Sequence, residues 1–319
     1  MKVYIKTPAR LHLGLIDLNG ELGRLFGGLG LGIDQPNVIL EAEQSPQLAA
    51  SGENAELVKT LAKRFLETYR IQANASINVK QTIPEHVGLG SGTQVALATA
   101  TALKTLFNVK ATTQELAVAM GRAQRTSVGT TIFEQGGFVV DGGKTTQKNT
   151  PNNFPPLIFH QPFPADWQFV VAVPDTDKGL SNDEEKSAFN QLPPMSAETA
   201  GRICRLIVMK LLPGLIEHDI KSFGEALTQV QNAVGDSFSS VQAGRYSSPV
   251  AAEGIEFLRK LGAYGTGQSS WGPAVYGLFP MEKAKEAQRN FRQFLQKSVG
   301  GNVFIAKANN KGAYIRLTG

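Results

Sequence analysis

Apolar and polar residues alternate along several early stretches of the chain, and this alternation is typical of half-buried β-strands. Val3–Leu18 alternates and is rich in valine, isoleucine and leucine. It is followed by Asn19-Gly20, a dipeptide typical of hairpin turns. Leu29–Ala42 and Ala75–Gln81 show the same strand character. The first part of the chain is therefore predicted to be rich in strands and to begin with a hairpin.

Helices are predicted where apolar residues recur on one face of a 3.6-residue turn. In Glu53–Tyr69 an apolar residue falls at every fourth position from Leu57 onward. Gln94–Phe107 is dense in alanine and leucine and contains no helix breaker. Thr112–Glu115 has the sequence of a capping box, which predicts a further helix to about Gln124.

The second half alternates between predicted strands and helices. Strands are expected over Gly136–Val140, Trp167–Val173 and Ala274–Phe279. Helices are expected over Ala197–Leu212, Glu217–Val234, Pro249–Leu261 and Glu282–Lys297. A terminal hairpin is expected from Asn302–Lys307 and Gly312–Leu317. Thr145–Pro164 is polar and proline-rich, which makes it the candidate domain boundary.

Length and composition predict a two-domain globular protein. The chain has 319 residues, 42% of them hydrophobic and 18% charged, and domains usually have roughly 100–200 residues. Cys204 is the single cysteine, which fits a reducing compartment. Lys6, Arg10 and Asp17 interrupt the N-terminal stretch, so no signal peptide is predicted. No apolar run approaches the ~20 residues that span a membrane. We expect a cytoplasmic protein with no membrane partner.

The net charge of +5 is spread along the chain, without a lysine or arginine block. Nucleic-acid-binding proteins more often cluster their basic residues, so no nucleic-acid partner is expected. A mild positive balance suits a small polyanionic substrate such as a sugar phosphate.

The sharpest local feature is Pro84–Thr93, which reads PEHVGLGSGT between a predicted strand and a predicted helix. Glycines before a helix N-terminus let the backbone approach an anion, and the unpaired N–H groups there bind it. The predicted phosphate-binding residues are Gly88, Leu89, Gly90, Ser91, Gly92 and Thr93. The loop is neither a Walker A loop nor a Rossmann fingerprint. The alternative is a tight strand-to-helix turn that binds no ligand.

Two further segments accompany this loop. Pro8–Asp17 reads PARLHLGLID, and Gly262–Gly272 reads GAYGTGQSSWG. Together with the loop they resemble the three motifs of the GHMP kinase superfamily, which bind substrate, hold nucleotide phosphates and close on the site. The resemblance spans nearly the whole chain. It implies an α+β, two-domain GHMP-kinase fold, with a ribosomal protein S5 domain 2-like N-terminal domain over residues 1–150 and a ferredoxin-like C-terminal domain over residues 151–319.

One branch of this superfamily is more similar. Gly14–Gly20, Phe133–Gly143 and Gly265–Pro273 resemble segments of β-ribofuranosylaminobenzene 5′-phosphate synthase. That family joins phosphoribosyl pyrophosphate to 4-hydroxybenzoate or 4-aminobenzoate and releases CO2 and pyrophosphate, an early step towards methanopterin-type one-carbon carriers. The resemblance implies a phosphoribosyltransferase-type synthase with these small-molecule substrates and with Mg²⁺ as cofactor.

Departures from the kinase pattern favour this branch. Many GHMP kinases place a catalytic aspartate where this chain has Thr130 or Thr131, and a hydroxyl at neutral pH cannot replace a carboxylate base. Gly92 also replaces the second serine of the usual Gly-Ser-Ser. Two alternatives stay open: an ATP-dependent small-molecule kinase of the same fold, and a non-catalytic ligand-binding relative.

The catalytic candidates are Arg10, His12, Asp17 and Glu134. Arg10 could pair with phosphate or carboxylate, and His12 shares its face of the strand two residues on. A salt bridge and a structural histidine are the alternatives, and turn chemistry explains Asp17 equally well. Glu134 and Asp141 are the predicted Mg²⁺ ligands, because both lie in a glycine-dense segment of family character.

The C-terminal segment supplies the remaining binding candidates, which are Gly265, Gly267, Ser269, Ser270 and Trp271. Trp271 is expected either to stack on the aromatic acid or to fill a hydrophobic gap. A homodimer is the expected assembly, because two-fold dimers are the commonest soluble oligomers.

Overall fold

The computed structural model describes residues 1–147, 153–176, 179, 182–242 and 244–318. The strands of the N-terminal part are β1 (Lys2–Lys6), β2 (Ala9–Asp17), β3 (Arg24–Ile33), β4 (Ile39–Ser45), β5 (Ala49–Gly52), β6 (Asn74–Gln81), β7 (Phe138–Asp141), β8 (Lys144–Thr145) and β9 (Leu157–Gln161). Its helices are α1 (Ala55–Thr68), α2 (Ser91–Leu106), α3 (Thr113–Ala119) and α4 (Val128–Gln135).

The C-terminal part follows in a similar mixture of strands and helices. Its strands are β10 (Trp167–Pro174), β11 (Gly265–Gln268), β12 (Val275–Pro280), β13 (Gly301–Ala306) and β14 (Tyr314–Thr318). Its helices are α5 (Asn182–Gln191), α6 (Ala197–Leu206), a π-helical segment (Ile207–Leu211), α7 (Leu212–Ile216), α8 (Ile220–Phe238), α9 (Pro249–Lys260) and α10 (Met281–Gln296).

Two sheets form the N-terminal part. One has the order β14-β1-β4-β6-β5, and the other runs β2-β3-β7-β9 with β8 paired to β3. The α2 helix packs on β1 and β4 and contacts α1, α3 and α4. Its run from Gln94 to Leu103 is entirely buried, which explains why this segment is apolar on all sides rather than amphipathic.

The C-terminal sheet has the order β11-β12-β10-β13, with antiparallel pairing throughout. In chain order this is 2-3-1-4, with helices between the first two strands and between the last two. That is the arrangement of a ferredoxin-like fold, as the resemblance to the GHMP kinase superfamily implies. One apolar core is continuous across both parts and joins Leu11 and Leu29 to Phe169 and Phe223.

Two predicted helix starts are confirmed by their caps. At Thr112 the side chain accepts from the N–H of Glu115, and the Glu115 carboxylate accepts in return, which completes the capping box. At Ser248 the hydroxyl accepts from the N–H of Ala251, with Pro249 in the first turn.

The predicted terminal hairpin is wrong. β13 pairs with β10 in the C-terminal sheet, with Phe169 opposite Ala306. β14 pairs with β1 in the N-terminal sheet, with Ile5 opposite Ile315. Alternation along the sequence identifies a strand but not its distant partner, so the two segments were each strands without being neighbours.

The segment proposed as a domain boundary is only partly described, because residues 148–152 lie outside the described ranges. Beyond that gap, β9 pairs with β7, with Val139 opposite His160. The chain therefore stays with the N-terminal sheets as far as Gln161. Within the described ranges, no helix is both long enough and apolar enough to cross a bilayer.

Candidate active site

A cavity of about 110 Å³ lies where the N-terminal and C-terminal parts meet. Its lining comes from strand β2, the segment before α4, helices α5 and α8, the segment after α8, and the end of β11 with the turn that follows it. The side chains used below are Arg10, His12, Arg125, Glu185, Phe189, Phe238, Ser270 and Trp271. Two predicted site segments, strand β2 and the turn after β11, therefore line the cavity, together with residues that the sequence did not identify.

The glycine-rich loop ends beside this cavity. It joins β6 to α2, and Gly90 precedes the helix with φ of 82°, a conformation that favours glycine. A Cβ atom on Gly90 would lie 2.7 Å from Cγ of Arg10. Gly90 is thus needed both for the turn and for the close approach of Arg10. The predicted order of strand, glycine loop and helix is confirmed.

No side chain caps the N-terminus of α2. Helix geometry leaves the N–H groups of its first turn without partners inside the helix, and these groups carry partial positive charge. Ser91, Gly92 and Thr93 form this turn and are partly accessible. The arrangement suits an anion, although phosphate binding by the loop stays a prediction.

Ser269 links the loop to the strand. Its hydroxyl donates to the carbonyl oxygen of Gly88 at 2.7 Å and accepts from the N–H of His12 at 2.9 Å. A Cβ on Gly88 would collide with the carbonyl oxygen of Ser269. Ser269 is fully buried, so its role is to hold the three motifs together.

Arg10 and His12 project from β2 into the cavity. Nη1 of Arg10 donates to the carbonyl oxygen of Gly88 at 2.6 Å. Burial lowers the pKa of Arg10 to about 10, against the attraction of Glu185, and the guanidinium is still charged at neutral pH. Burial, followed by the positive charges of Arg10 and Arg125, lowers the pKa of His12 to about 3. His12 is therefore neutral at physiological pH and can accept or donate one hydrogen bond.

Glu185 connects two cavity residues. Its Oε2 lies 3.0 Å from a terminal nitrogen of Arg125, and its Oε1 accepts from the indole N–H of Trp271 at 3.0 Å. The guanidinium of Arg125 also lies 4.3 Å from the ring centroid of Phe189. Glu185 therefore fixes the orientation of one cation and of one aromatic wall.

The aromatic wall consists of Phe189, Phe238 and Trp271. The Trp271 ring packs edge-on against Phe238 at 4.5 Å and against Phe189 at 5.4 Å between centroids. Edge-to-face packing of this kind holds the rings rigidly. Trp271 fills a hydrophobic cluster and also lines the cavity. Its stacking on the aromatic acid stays a prediction.

The surroundings of Glu134 and Asp141 speak against the metal role predicted for them. Glu134 is exposed near the end of α4 and does not line the cavity. Asp141 is fully buried, and its two oxygens accept from the N–H groups of Gly28, Ser127, Val128 and Gly143 at 2.7–3.2 Å. Burial raises the pKa of Asp141 to about 6, and these four donors oppose that rise. Asp141 caps α4 and braces the strand β3.

Asp17 is held in a turn. Its Oδ1 accepts from the N–H of Asn19 at 2.6 Å and from that of Gly20 at 3.0 Å. It does not line the cavity, which agrees with turn chemistry rather than with catalysis. Among the described residues, no group of three or more histidine, cysteine or acidic side chains is placed to hold a metal ion.

Gly265 and Gly267 serve packing. Both lie in β11, where a Cβ on Gly265 would stand 2.8 Å from the backbone of Gly224 in α8. A Cβ on Gly267 would stand 2.6 Å from the side chain of Gln231. These glycines let α8 lie directly on β11. In the C-terminal glycine-rich segment, the predicted binding residues that line the cavity are Ser270 and Trp271, in the turn after β11.

The sequence reasoning missed Arg125, Glu185, Phe189 and Phe238. Arg125 stands in no motif and lies just before α4. Glu185 belongs to the acidic run Asp183-Glu184-Glu185 in the first turn of α5, a pattern typical of a solvated helix start rather than of a site residue. Phe189 lies one helical turn beyond Glu185, and that i, i+4 spacing was the available signal.

The comparisons with known proteins agree with this geometry. Residues 56–137 match the GHMP kinases N terminal domain and residues 211–297 match the GHMP kinases C terminal domain. A solved structure of homoserine kinase from Cytophaga hutchinsonii is similar, with a TM-score of 0.73 at 19% identity over 99% of this chain and 97% of that one. At this identity the similarity shows the fold alone.

Sequence relatives are more specific. The chain is 34% identical over 324 residues to a β-ribofuranosylphenol 5′-phosphate synthase of Archaeoglobus fulgidus, covering 98% of this chain and 99% of the relative. It is 32% identical over 334 residues to the protein of the same name in Methanothermobacter thermautotrophicus, covering 99% of each. The chain therefore belongs to the family of β-ribofuranosylphenol 5′-phosphate synthases, on the GHMP-kinase fold.

Proposed function

We propose that this protein transfers the ribosyl 5-phosphate group of phosphoribosyl pyrophosphate to 4-hydroxybenzoate, with release of CO2 and pyrophosphate. The observation that carries the proposal is the full-length similarity to two synthases at 32% and 34% identity. Their name refers to a phenol, which favours 4-hydroxybenzoate over 4-aminobenzoate as the acceptor.

The cavity supports this assignment by its two chemically different sides. One side presents Arg10 next to the glycine loop and the N-terminus of α2, which suits the phosphates of the donor. The other side presents Phe189, Phe238 and Trp271, which suit a flat aromatic acceptor. Donor and acceptor would meet between them, near His12 and Arg125.

The bond changes balance without an oxidant. A bond forms between C1 of the ribose and the ring carbon that bears the carboxylate, while the C1–O bond to pyrophosphate breaks. The ring carbon then loses its carboxylate as CO2, and the electron pair of that bond restores the aromatic ring. Positive groups close to the leaving pyrophosphate stabilise the charge that develops on it. Neutral His12 is placed to hydrogen-bond the reacting groups without adding a third positive charge beside Arg10 and Arg125.

The structure disfavours the kinase alternative. Thr130 and Thr131 occupy the place of the usual catalytic aspartate, and both are buried in α4 away from the cavity lining. Glu185 is the carboxylate that lines the cavity, and it is already engaged by Arg125 and Trp271. A phosphoryl-transfer base would have to come from elsewhere.

Magnesium remains part of the proposal in a limited form. The two predicted ligands, Glu134 and Asp141, do not fit the ion in their present positions. Mg²⁺ is commonly bound mainly through substrate phosphates, so we propose that it enters with the donor. No step above depends on it.

Mass spectrometry of the reaction product tests the acceptor. Purified protein is given phosphoribosyl pyrophosphate with 4-hydroxybenzoate, with 4-aminobenzoate or with both in equal amounts, and a parallel set of samples receives ATP in place of phosphoribosyl pyrophosphate. We expect the ribosylated phenol to predominate in the mixture. Predominance of the ribosylated aniline would reassign the acceptor, and ATP-dependent phosphorylation of either benzoate would support the kinase instead.

A further inference from the structure

Arg122 lies at the start of α2, although it belongs to no motif. It stands three positions after the last residue of α3. A Cβ on Gly92 would lie 3.2 Å from Nη1 of Arg122 and 3.4 Å from Nη2. The guanidinium therefore occupies the space that the missing side chain of Gly92 leaves open.

Arg122 has no counter-charge within the described ranges of the chain. No carboxylate forms an ion pair with it there, and its Nε is buried without a hydrogen-bond partner. Burial is the main cause that lowers the pKa of Arg122, and repulsion by Arg64 adds to it. By contrast, Arg125 is paired with Glu185 at 3.0 Å.

Further positive charges around Arg122 raise the free-energy cost of burying its guanidinium without a counter-charge. The N-terminus of α2 carries partial positive charge and has no side-chain cap. Arg64 adds a second guanidinium nearby, with its Nε bonded to the carbonyl oxygen of Ala119 at 2.6 Å. A largely buried cation beside these groups is stabilised when an anion binds among them.

The contact with Arg122 explains why glycine rather than serine stands at position 92. The usual superfamily loop has serine at this position, and a serine Cβ would crowd the guanidinium. We propose that Arg122, whose guanidinium sits in the space that Gly92 leaves, binds the pyrophosphate group of the ribosyl donor at the N-terminus of α2. The inference rests on the proposed function for the identity of the donor. The guanidinium of Arg122 at a helix N-terminus, with the positive charge of Arg64 acting on it, matches the charge of a pyrophosphate better than that of a monophosphate.

Calorimetric titration with inorganic pyrophosphate tests this assignment without turnover. Arg122→Ala should weaken binding about tenfold or more, as expected for a lost hydrogen bond to a charged group. Arg122→Lys should recover part of the loss, because it keeps the charge but not the forked geometry. Arg289→Ala, which removes an exposed cation from α10, is the matched control and should stay within about twofold of the wild type.

Gly92→Ala provides a second route that leaves Arg122 in place. It should weaken pyrophosphate binding in the wild-type background and have little further effect in the Arg122→Ala background, because the two changes remove the same contact. Thermal melts of each variant check that it is folded. Pyrophosphate binding by folded Arg122→Ala within about twofold of the wild type would overturn the proposal, and so would simple additivity with Gly92→Ala.

A parallel titration with ribose 5-phosphate shows whether Arg122 contacts the pyrophosphate or the 5-phosphate of the donor. Ribose 5-phosphate binding should be nearly unchanged in Arg122→Ala. If it is lost while pyrophosphate binding is kept, Arg122 contacts the 5-phosphate and the assignment is wrong. Wild-type protein that binds pyrophosphate through Arg122 but releases no CO2 from a benzoate would contradict the proposed function alone.

Discussion

The hydroxyl of Ser269 donates to the carbonyl oxygen of Gly88 at 2.7 Å, across 181 positions of sequence. The hydroxyl oxygen of Ser269 in turn accepts from the N–H of His12. One buried hydroxyl thus joins the C-terminal turn, the glycine loop and the substrate strand. Without it, the buried N–H of His12 loses its partner, and the carbonyl oxygen of Gly88 keeps the hydrogen bond from Arg10 but loses the one from Ser269.

Ser269→Ala should therefore lower both stability and donor affinity. We expect a loss of about 2 kcal/mol in the free energy of unfolding, since each unsatisfied buried group costs about 1–3 kcal/mol. The KM for phosphoribosyl pyrophosphate should rise more than the KM for the benzoate. Ser237→Ala, which removes a hydroxyl that donates to the carbonyl oxygen of Ala233 within α8, is the control. Equal losses of stability and equal KM values in the two variants would show that Ser269 does not hold the three site segments together.

Replacing Glu185 by glutamine should change the kinetic constants, whereas the same replacement of Glu134 should not. Glu185→Gln keeps an acceptor for Trp271 but releases Arg125. Freed Arg125 should pair with the carboxylate of the acceptor and stabilise the ground state, so kcat should fall about tenfold while the KM for the benzoate falls or stays constant. Exposed Glu134→Gln should leave both constants close to wild type. Steady-state kinetics with varied benzoate separates these outcomes, and a larger loss at Glu134 would restore it as a catalytic residue.

Local sequence patterns predicted most of the helices and strands, and motifs identified some of the residues that line the cavity. The elements from α1 to α3 follow from local periodicity and capping, as at Thr112. Arg10, His12, Ser270 and Trp271 were found because motifs mark them. Arg125 and Glu185 were missed because their pairing at 3.0 Å depends on two distant segments coming together. The same limit explains the error over β13 and β14, whose partners lie in different sheets.

Asp141 should act on stability rather than on metal affinity. In Asp141→Asn an amide NH2 group would face N–H donors that now point at a carboxylate oxygen. We expect a loss of about 3 kcal/mol and a melting temperature lower by roughly 5–10 °C. The Mg²⁺ concentration for half-maximal rate should not change in the folded protein. A shifted Mg²⁺ requirement with normal stability would contradict the structural role.

His12 should make the fold sensitive to acid. Its pKa is about 3 in the folded protein against an ordinary value of 6.5. As the pH falls below 6.5, the unfolded chain binds a proton that folded His12 does not, so stability decreases. Between pH 7 and pH 5 this amounts to about 2 kcal/mol. His12→Gln should lose less stability over that interval, as measured by urea unfolding, whereas the same substitution at exposed His218 should not reduce the loss.

The most direct measurement is the stoichiometry of the proposed reaction. Purified protein is incubated with phosphoribosyl pyrophosphate, Mg²⁺ and 4-hydroxybenzoate labelled in its carboxyl group, and both released CO2 and pyrophosphate are quantified. We predict that the two appear together in a one-to-one ratio and that neither appears without the benzoate. Retention of the label in the presence of all three, with consumption of ATP when it is supplied, would contradict the synthase assignment.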